Sequence, residues 1–342
     1  MLQRLIAALV TLLCVCSASY AQLTTIRLMS HPLGPSGTKA VQDFATAINR
    51  ALEGSARVEL LPSSPAAFDA VKTGEIALAV FPSDLYASLN PGRFALFELP
   101  FVMDDLNQAA TFQQSAVGEA MLASVAGDGL LGLGYWNVGM ARIFGQSIES
   151  EKSLPGMVIR TSSSAIIQTT LRAFGMKPIP ILSANEWIPA VTKGEINAFY
   201  ASPSFVLNTP LRDSGSRQMR FLRSGFVPQV LVVVANKRVW SEFSFQIQSA
   251  LGEQSRIVAE RTNAEAIERE ASALGALRER GFKPALDGGA LQGIRETVAA
   301  TWNNSDALPK NNLVNVSLVA IDQHRRNPAP PPSRHRAHSL PI

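Results

Sequence analysis

The apolar positions of the chain change their period repeatedly. TTIRLMSH, ending at His31, alternates polar and apolar residues as a half-buried strand does, and stops at the turn sequence PLGPSGT. In GTKAVQDFATAINRALEG the apolar residues return at helical spacing, and Gly54 ends the run. ARVELLP then reads as a strand, SPAAFDAVKTG as a helix opened by Ser-Pro, and EIALAVFPS as a third strand. An apolar run, RFALFELPFVMDD, leads into one helix over DLNQAATFQQSAVGEAMLASVAGDG. LLGLGYWNVGMARIFG follows as a strand passing into a loop.

From there the order starts again. GMVIRTSSS is a strand, SAIIQTTLRAFG a helix, MKPIPI a strand, and SANEWIPAVTKG a helix with Ser183 and Glu186 at capping-box spacing. EINAFYAS is the strand behind it. The two halves share wording as well as order: AVKTGEIALAVFPS starts at Ala70 and AVTKGEINAFYASPS at Ala190, 120 residues later. In both, a glycine suited to the left-handed turn that ends a helix precedes an apolar strand. Alternating strands and helices predict parallel sheet with crossover helices, and the repetition predicts two similar α/β lobes. FVPQVLVVVANKRVW supplies a further long strand, and Ser244 to Gly281 reads as one or two exposed helices whose Glu, Arg and Ala content marks a solvated face. Ligands of open α/β sheets bind beyond the carboxyl ends of the strands. Two facing lobes with crossing segments therefore imply a cleft that closes over a ligand.

The ends of the chain change this picture in two ways. MLQRLIAALVTLLCVCSASYAQ has an early Arg4, an apolar stretch from Leu5 to Cys16, and small residues before Ala21, the pattern of a cleavable export signal over residues 1–21. Cys14 and Cys16 are the only cysteines, so the mature chain has no disulfide, thiol nucleophile or cysteine metal site. The formal net charge of +4 is also an end effect: without Arg4, Arg325, Arg326, Arg334 and Arg336, 26 basic residues face 27 acidic ones. Residues 324–342, HRRNPAPPPSRHRAHSLPI in full, read as a Pro- and Arg-rich disordered tail. Nothing in this charge pattern calls for nucleic acid. No Gly-x-Ser-x-Gly elbow is present and every histidine except His31 lies in or beside the tail, which argues against an exported hydrolase. No metal or cofactor is expected, and an exported, soluble, cysteine-free pair of lobes reads most simply as a solute receptor.

Taken in order, ALFELPFVMDD, LGLGYWNVGMARIFG, SLPGMVIRTSSS, FGMKPIPILSANEWIPAVTKGEINAF and VLVVVANKRVW resemble the solute-binding proteins of tripartite ATP-independent periplasmic (TRAP) transporters, over roughly residues 25–319. The resemblance implies a type II periplasmic-binding-protein fold of two α/β lobes braced by a long helix. It implies a monomer that captures a small carboxylate in the periplasm and hands it to the membrane permease subunits of the transporter; a receptor presenting its ligand to a membrane sensor would use the same surface. On this reading lobe I comprises residues 22–142 and about 230–262, and lobe II residues 143–229 and about 263–323.

In such proteins an arginine after a Gly-Leu-Lys-Ile-type strand binds the ligand carboxylate, and in SLPGMVIRT that place belongs to Arg160. A guanidinium meets a carboxylate with two parallel charge-assisted bonds. Arg142, in GMARIFG, stands near the place of a second family arginine, one residue further from its glycine than usual. Tyr200 and Ala201 occupy places where the family usually has Glu and a ligand-holding Asn, so Tyr200 or Ser202 would have to supply a hydroxyl instead. Two other candidates come from position alone. His31 ends the first strand, where it either donates to a ligand or is a plain loop residue. Trp136, with Tyr135, either lines the pocket or belongs to the core, whereas Trp187 is read as core.

Overall fold

The computed structural model describes residues 23–89, 93–181, 183–217, 219–285 and 291–304, together with 319 and 321. The export signal and the tail expected from the sequence lie outside the described residues. Ten strands form one curled sheet: β1 (Thr24–Ser30), β2 (Ala56–Leu60), β3 (Leu78–Pro82), β4 (Leu130–Gln146), β5 (Val158–Thr161), β6 (Lys177–Pro180), β7 (Ala198–Ala201), β8 (Met219–Phe221), β9 (Val227–Asn236) and β10 (Lys283–Pro284). Their order is β2-β1-β3-β9-β4-β7-β5-β6, with β8 beside β4 and β10 beside β8.

The repeated wording is a repeated topology. In the first half β1 is parallel to both β2 and β3, and β3 turns its free edge antiparallel to β9. In the second half β5 is parallel to β6 and β7, and β7 turns its edge antiparallel to β4. Each final helix of the unit closes on a left-handed glycine, Gly74 at φ 82° and Gly194 at φ 85°. A Cβ at Gly194 meets no atom within 4 Å, so the cost of replacing it is conformational. Gly194→Ala is expected to lower stability by about 1 kcal/mol, measured as a shift in the denaturant midpoint at unchanged slope.

β4 joins the two units. Up to Ala141 it pairs with β9, and from Arg142 onward with β7 and then β8. The sequence predicts a strand running into a loop here; the structure shows a single 17-residue strand. Its ladder with β9 is irregular at two places, with register shifts between Gly132 and Gly134 and between Asn137 and Gly139.

The helix expected after Asp105 is divided into Leu106–Gln113 and Ala116–Ala123, the second capped by the Ser115 side chain. Gly118 sits so close to the Phe112 carbonyl that a Cβ would lie 2.3 Å from it, which fixes the sharp turn between them. Ser183 does begin its helix, but its hydroxyl makes no capping bond; Ser150 and Ser153 form a capping box at a short turn elsewhere.

One 35-residue helix, Phe245–Glu279, spans both halves. Its buried positions, among them Leu251, Val258, Thr262, Ala266, Ala273 and Leu277, form a stripe at helical period. The core of the first half packs Phe44, Trp136, Val233 and Leu251 together, and that of the second packs Phe144, Trp187, Phe199 and Phe282.

A candidate ligand cleft between the two halves

β3 and β7, equivalent strands of the two units, both end at the same opening. Pro82, Ser83 and Asp84 follow β3 on one wall, and Ser202 and Ser204 follow β7 on the other. Between them is a cleft of about 690 Å³ whose floor is the crossing pair, Val138 and Ala141 of β4 against Val227 to Leu231 of β9. The start of the helix Pro35–Ala51 completes the first wall, and Arg269 of the long helix reaches in from one side. A smaller groove of about 220 Å³ lies outside the cleft. Its Asp43 is already paired, with Lys39 at 2.7 Å and Arg261 at 3.0 Å, and it shares Pro35, Ser36 and Arg269 with the cleft.

The family arginine position is beside this cleft, behind Tyr200. Arg160 lies on β5 next to Phe199 of β7; its Nε donates to the Ile181 carbonyl at 2.8 Å, and its guanidinium is stacked near Trp187 and Tyr200, 5.1 and 5.9 Å from their ring centres. Among the described residues it has no acidic partner. Burial lowers its pKa, as expected of a cation taken from water without a counter-ion. Tyr200 does line the cleft: its hydroxyl accepts from the Ser162 amide at 3.0 Å, which leaves its own proton free to donate.

Ser202 also lines the cleft, although its oxygen already accepts from the Phe205 amide at 3.3 Å as a helix cap. Arg142 is placed where β4 passes from β9 to β7; it is half-buried and is not among the residues that line the cleft. Its Nε and Nη1 have no hydrogen-bond partner, while the nearby carboxylates of Glu270 and Asp105 partly offset its desolvation.

Four of the sequence candidates are not among the residues that line the cleft: Arg160 and Arg142, placed above, and Trp136 and His31. Trp136 is fully buried; its ring meets Phe44 edge-on at 5.2 Å and its indole N–H donates to the Ser255 carbonyl at 3.3 Å, so it is a core residue. Tyr135 is core as well, its hydroxyl donating to the Gly118 carbonyl. His31 stands next to the lining residue Pro32, and its ring is turned to the Pro32 carbonyl at 3.1 Å; burial raises the pKa of nearby Asp84, an effect His31 only partly opposes.

Three residues of this region were not singled out from the sequence. Glu98, 4% exposed, lines the cleft at the end of a short 3-10 turn. Its Oε2 accepts the hydroxyl of Ser164, its Oε1 has no partner, and burial, reinforced by Asp84, pushes its pKa up to about 8. The one acid inside the apolar run RFALFELPF was the visible signal. Arg269 lines the cleft with Nη2 donating to the Val138 carbonyl at 2.9 Å and Nε without a partner. Glu270 takes the Ser204 hydroxyl at 3.1 Å and is pushed up to about 7 by burial. Its position on the buried stripe of the long helix is apparent only once that helix is known to be continuous.

The raised pKa of Glu98 gives a pH prediction. In the folded chain Glu98 keeps its proton up to about pH 8, whereas an exposed glutamate loses it near pH 4.5. Folding therefore binds a proton between these values, and the stability tied to it is present at low pH and lost as pH rises through 8. Glu98→Gln removes this loss. The variant is expected to match the wild type near pH 5 and to exceed it by several kcal/mol at pH 9, read from denaturant melts at both pH values.

The model of bacterial extracellular solute-binding proteins, family 7, matches residues 29–306, most of the chain. The chain belongs to this family. As a family 7 protein it is a substrate-binding receptor with the two-lobed periplasmic-binding fold of TRAP solute receptors. It is 20% identical over 263 residues to the C4-dicarboxylate-binding periplasmic protein DctP of Rhodobacter capsulatus, 74% of this chain and 77% of that protein. It is 25% identical over 225 residues to the 2,3-diketo-L-gulonate-binding periplasmic protein YiaO of Escherichia coli, 62% of this chain and 65% of that one.

Among solved structures, a TRAP periplasmic solute-binding protein of Ochrobactrum anthropi superposes with a TM-score of 0.77 at 17% identity, covering 90% of this chain and 97% of that one. The sugar acid binding protein of Advenella mimigardefordensis in complex with galactonate gives 0.72 at 18% identity, covering 88% and 98%. The fold expected from the resemblance is thus the fold of this family 7 protein.

Proposed function

We propose that this receptor captures a small organic carboxylate in the periplasm by closure of its two lobes and delivers it to the membrane subunits of a TRAP transporter. The observation that carries the reading is the Arg160 guanidinium: half-buried beside the rings of Trp187 and Tyr200, it holds one carbonyl and, among the described residues, has no acid beside it. A desolvated cation without a counter-ion is costly, and an arriving carboxylate would remove that cost with charge-assisted bonds. Tyr200, which touches both Arg160 and the cleft, is the side chain that has to shift for the fork to reach the ligand. Arg269 offers a second cation on the cleft itself.

The export signal read from the sequence and the periplasmic relatives support the location, and a lobe boundary near residue 142 is supported by the change of β4's partner there. Lobe closure follows from contacts that only a closed form makes on both sides of the ligand. The test is calorimetry of the mature chain against short carboxylates and their primary amides. Carboxylates are expected to bind and the amides to bind at least tenfold more weakly; equal binding of both, or binding of neither, overturns the reading.

A further inference from the structure

The cleft is chemically lopsided. Glu98 and Asp84 stand on the wall built by the first half, where burial raises the cost of ionising both and Asp84 adds to that cost for Glu98. No lysine or arginine lines that wall; the cation on the cleft, Arg269, comes from the long helix, and Arg160 belongs to the second half. The second wall is made of neutral hydroxyls, including Ser162, Ser202, Ser204 and Tyr200. We propose that Glu98 is a specificity-determining residue that selects a hydroxylated monocarboxylate, and rejects a dicarboxylate of the same length, by hydrogen-bonding a ligand hydroxyl through its unpartnered Oε1. This rests on the carboxylate-capture reading above and narrows it.

The geometry behind the assignment is specific. Glu98 Oε2 is occupied by Ser164, which fixes the carboxyl plane, and Oε1 is buried at the cleft wall with no protein partner. An unpaired polar atom in that position is expensive unless a ligand satisfies it. A hydroxyl is suited to it because it both donates and accepts, and so pairs with the carboxyl whether or not the proton is present. A second ligand carboxylate would instead give up its hydration on a wall that, among the described residues, holds no lysine or arginine to compensate it. An ammonium is the other group that two acids favour. Glu98 keeps its proton at neutral pH, however, and burial raises the pKa of Asp84 as well, so little negative charge is left for a cation.

The experiment is calorimetry on the mature chain with aldonates of three to six carbons, each set against the unsubstituted fatty acid, the dicarboxylate and the amino acid of equal length. At least one aldonate is expected to bind tenfold or more tighter than its three counterparts. Glu98→Leu is expected to lower that affinity at least tenfold while changing fatty-acid binding less than twofold, and Glu98→Gln, which keeps a donor and an acceptor, to stay within about threefold of the wild type. Melting curves show that both variants fold. A dicarboxylate, fatty acid or amino acid as the tightest ligand overturns the inference but leaves carboxylate capture standing. Equal weakening of every ligand by Glu98→Leu overturns the role of Glu98, and failure of all four classes to bind overturns the capture reading itself.

Discussion

Arg160→Ala is expected to weaken binding of the best carboxylate between tens and thousands of fold, measured by calorimetry on the mature chain. Each charge-assisted hydrogen bond is worth roughly 1.5–3 kcal/mol, and two of them translate into that range of affinity. The guanidinium is already desolvated and already lacks an acidic partner, so binding does not have to break an ion pair first. That distinguishes it from Arg142, whose charge is met by Glu270 and Asp105. Arg160→Lys separates charge from geometry: a lysine keeps the charge but loses the planar fork and its stacking between Trp187 and Tyr200. It is expected to recover only part of the affinity. Binding within twofold of the wild type in Arg160→Ala would show that the carboxylate sits elsewhere, with Arg269 the next cation to change.

Trp136→Ala has the largest effect expected on stability, a loss of about 3–5 kcal/mol in denaturant unfolding. The indole is wholly enclosed between the helix Pro35–Ala51, the crossing pair β4 and β9, and the long helix. Its removal opens a cavity, ends the edge-on contact with Phe44, and leaves the Ser255 carbonyl without its indole donor. Trp136→Phe, which keeps most of the volume and loses only the donor, is expected to cost about half as much. If the ring lined the cleft instead, Trp136→Ala would change affinity and leave the unfolding midpoint nearly unmoved.

Much of the fold was legible because it depends on local rules that the sequence states twice. The helix-ending glycines, Gly74 and Gly194, and the apolar strands behind them fix the two units and with them the position of the cleft. What was hidden depends on contacts distant in sequence. The strand β4 looked like a strand and a loop, and its continuity shows only in its pairing with β9, β7 and β8. Trp136 could not be assigned to core or cleft, since strand alternation gives two faces and the sequence does not say which face is covered. Tyr200 and Ser202 were found because they stand at or beside places where the family usually has Glu and a ligand-holding Asn. Glu98, Arg269 and Glu270 were missed because a charged side chain in an apolar run or a charged helix looks ordinary until the fold shows that its surroundings exclude water.

The two halves contribute unlike walls to a shared opening: acids after β3, hydroxyls and an arginine around β5 and β7. Opposite ends of a guest molecule are therefore inspected by stretches of chain encoded far apart. A chimera that exchanges only residues 143–229 with those of a relative would inherit one grip and keep the other. Mutation could in this way retune recognition of a guest's variable end while its carboxylate clasp stays untouched.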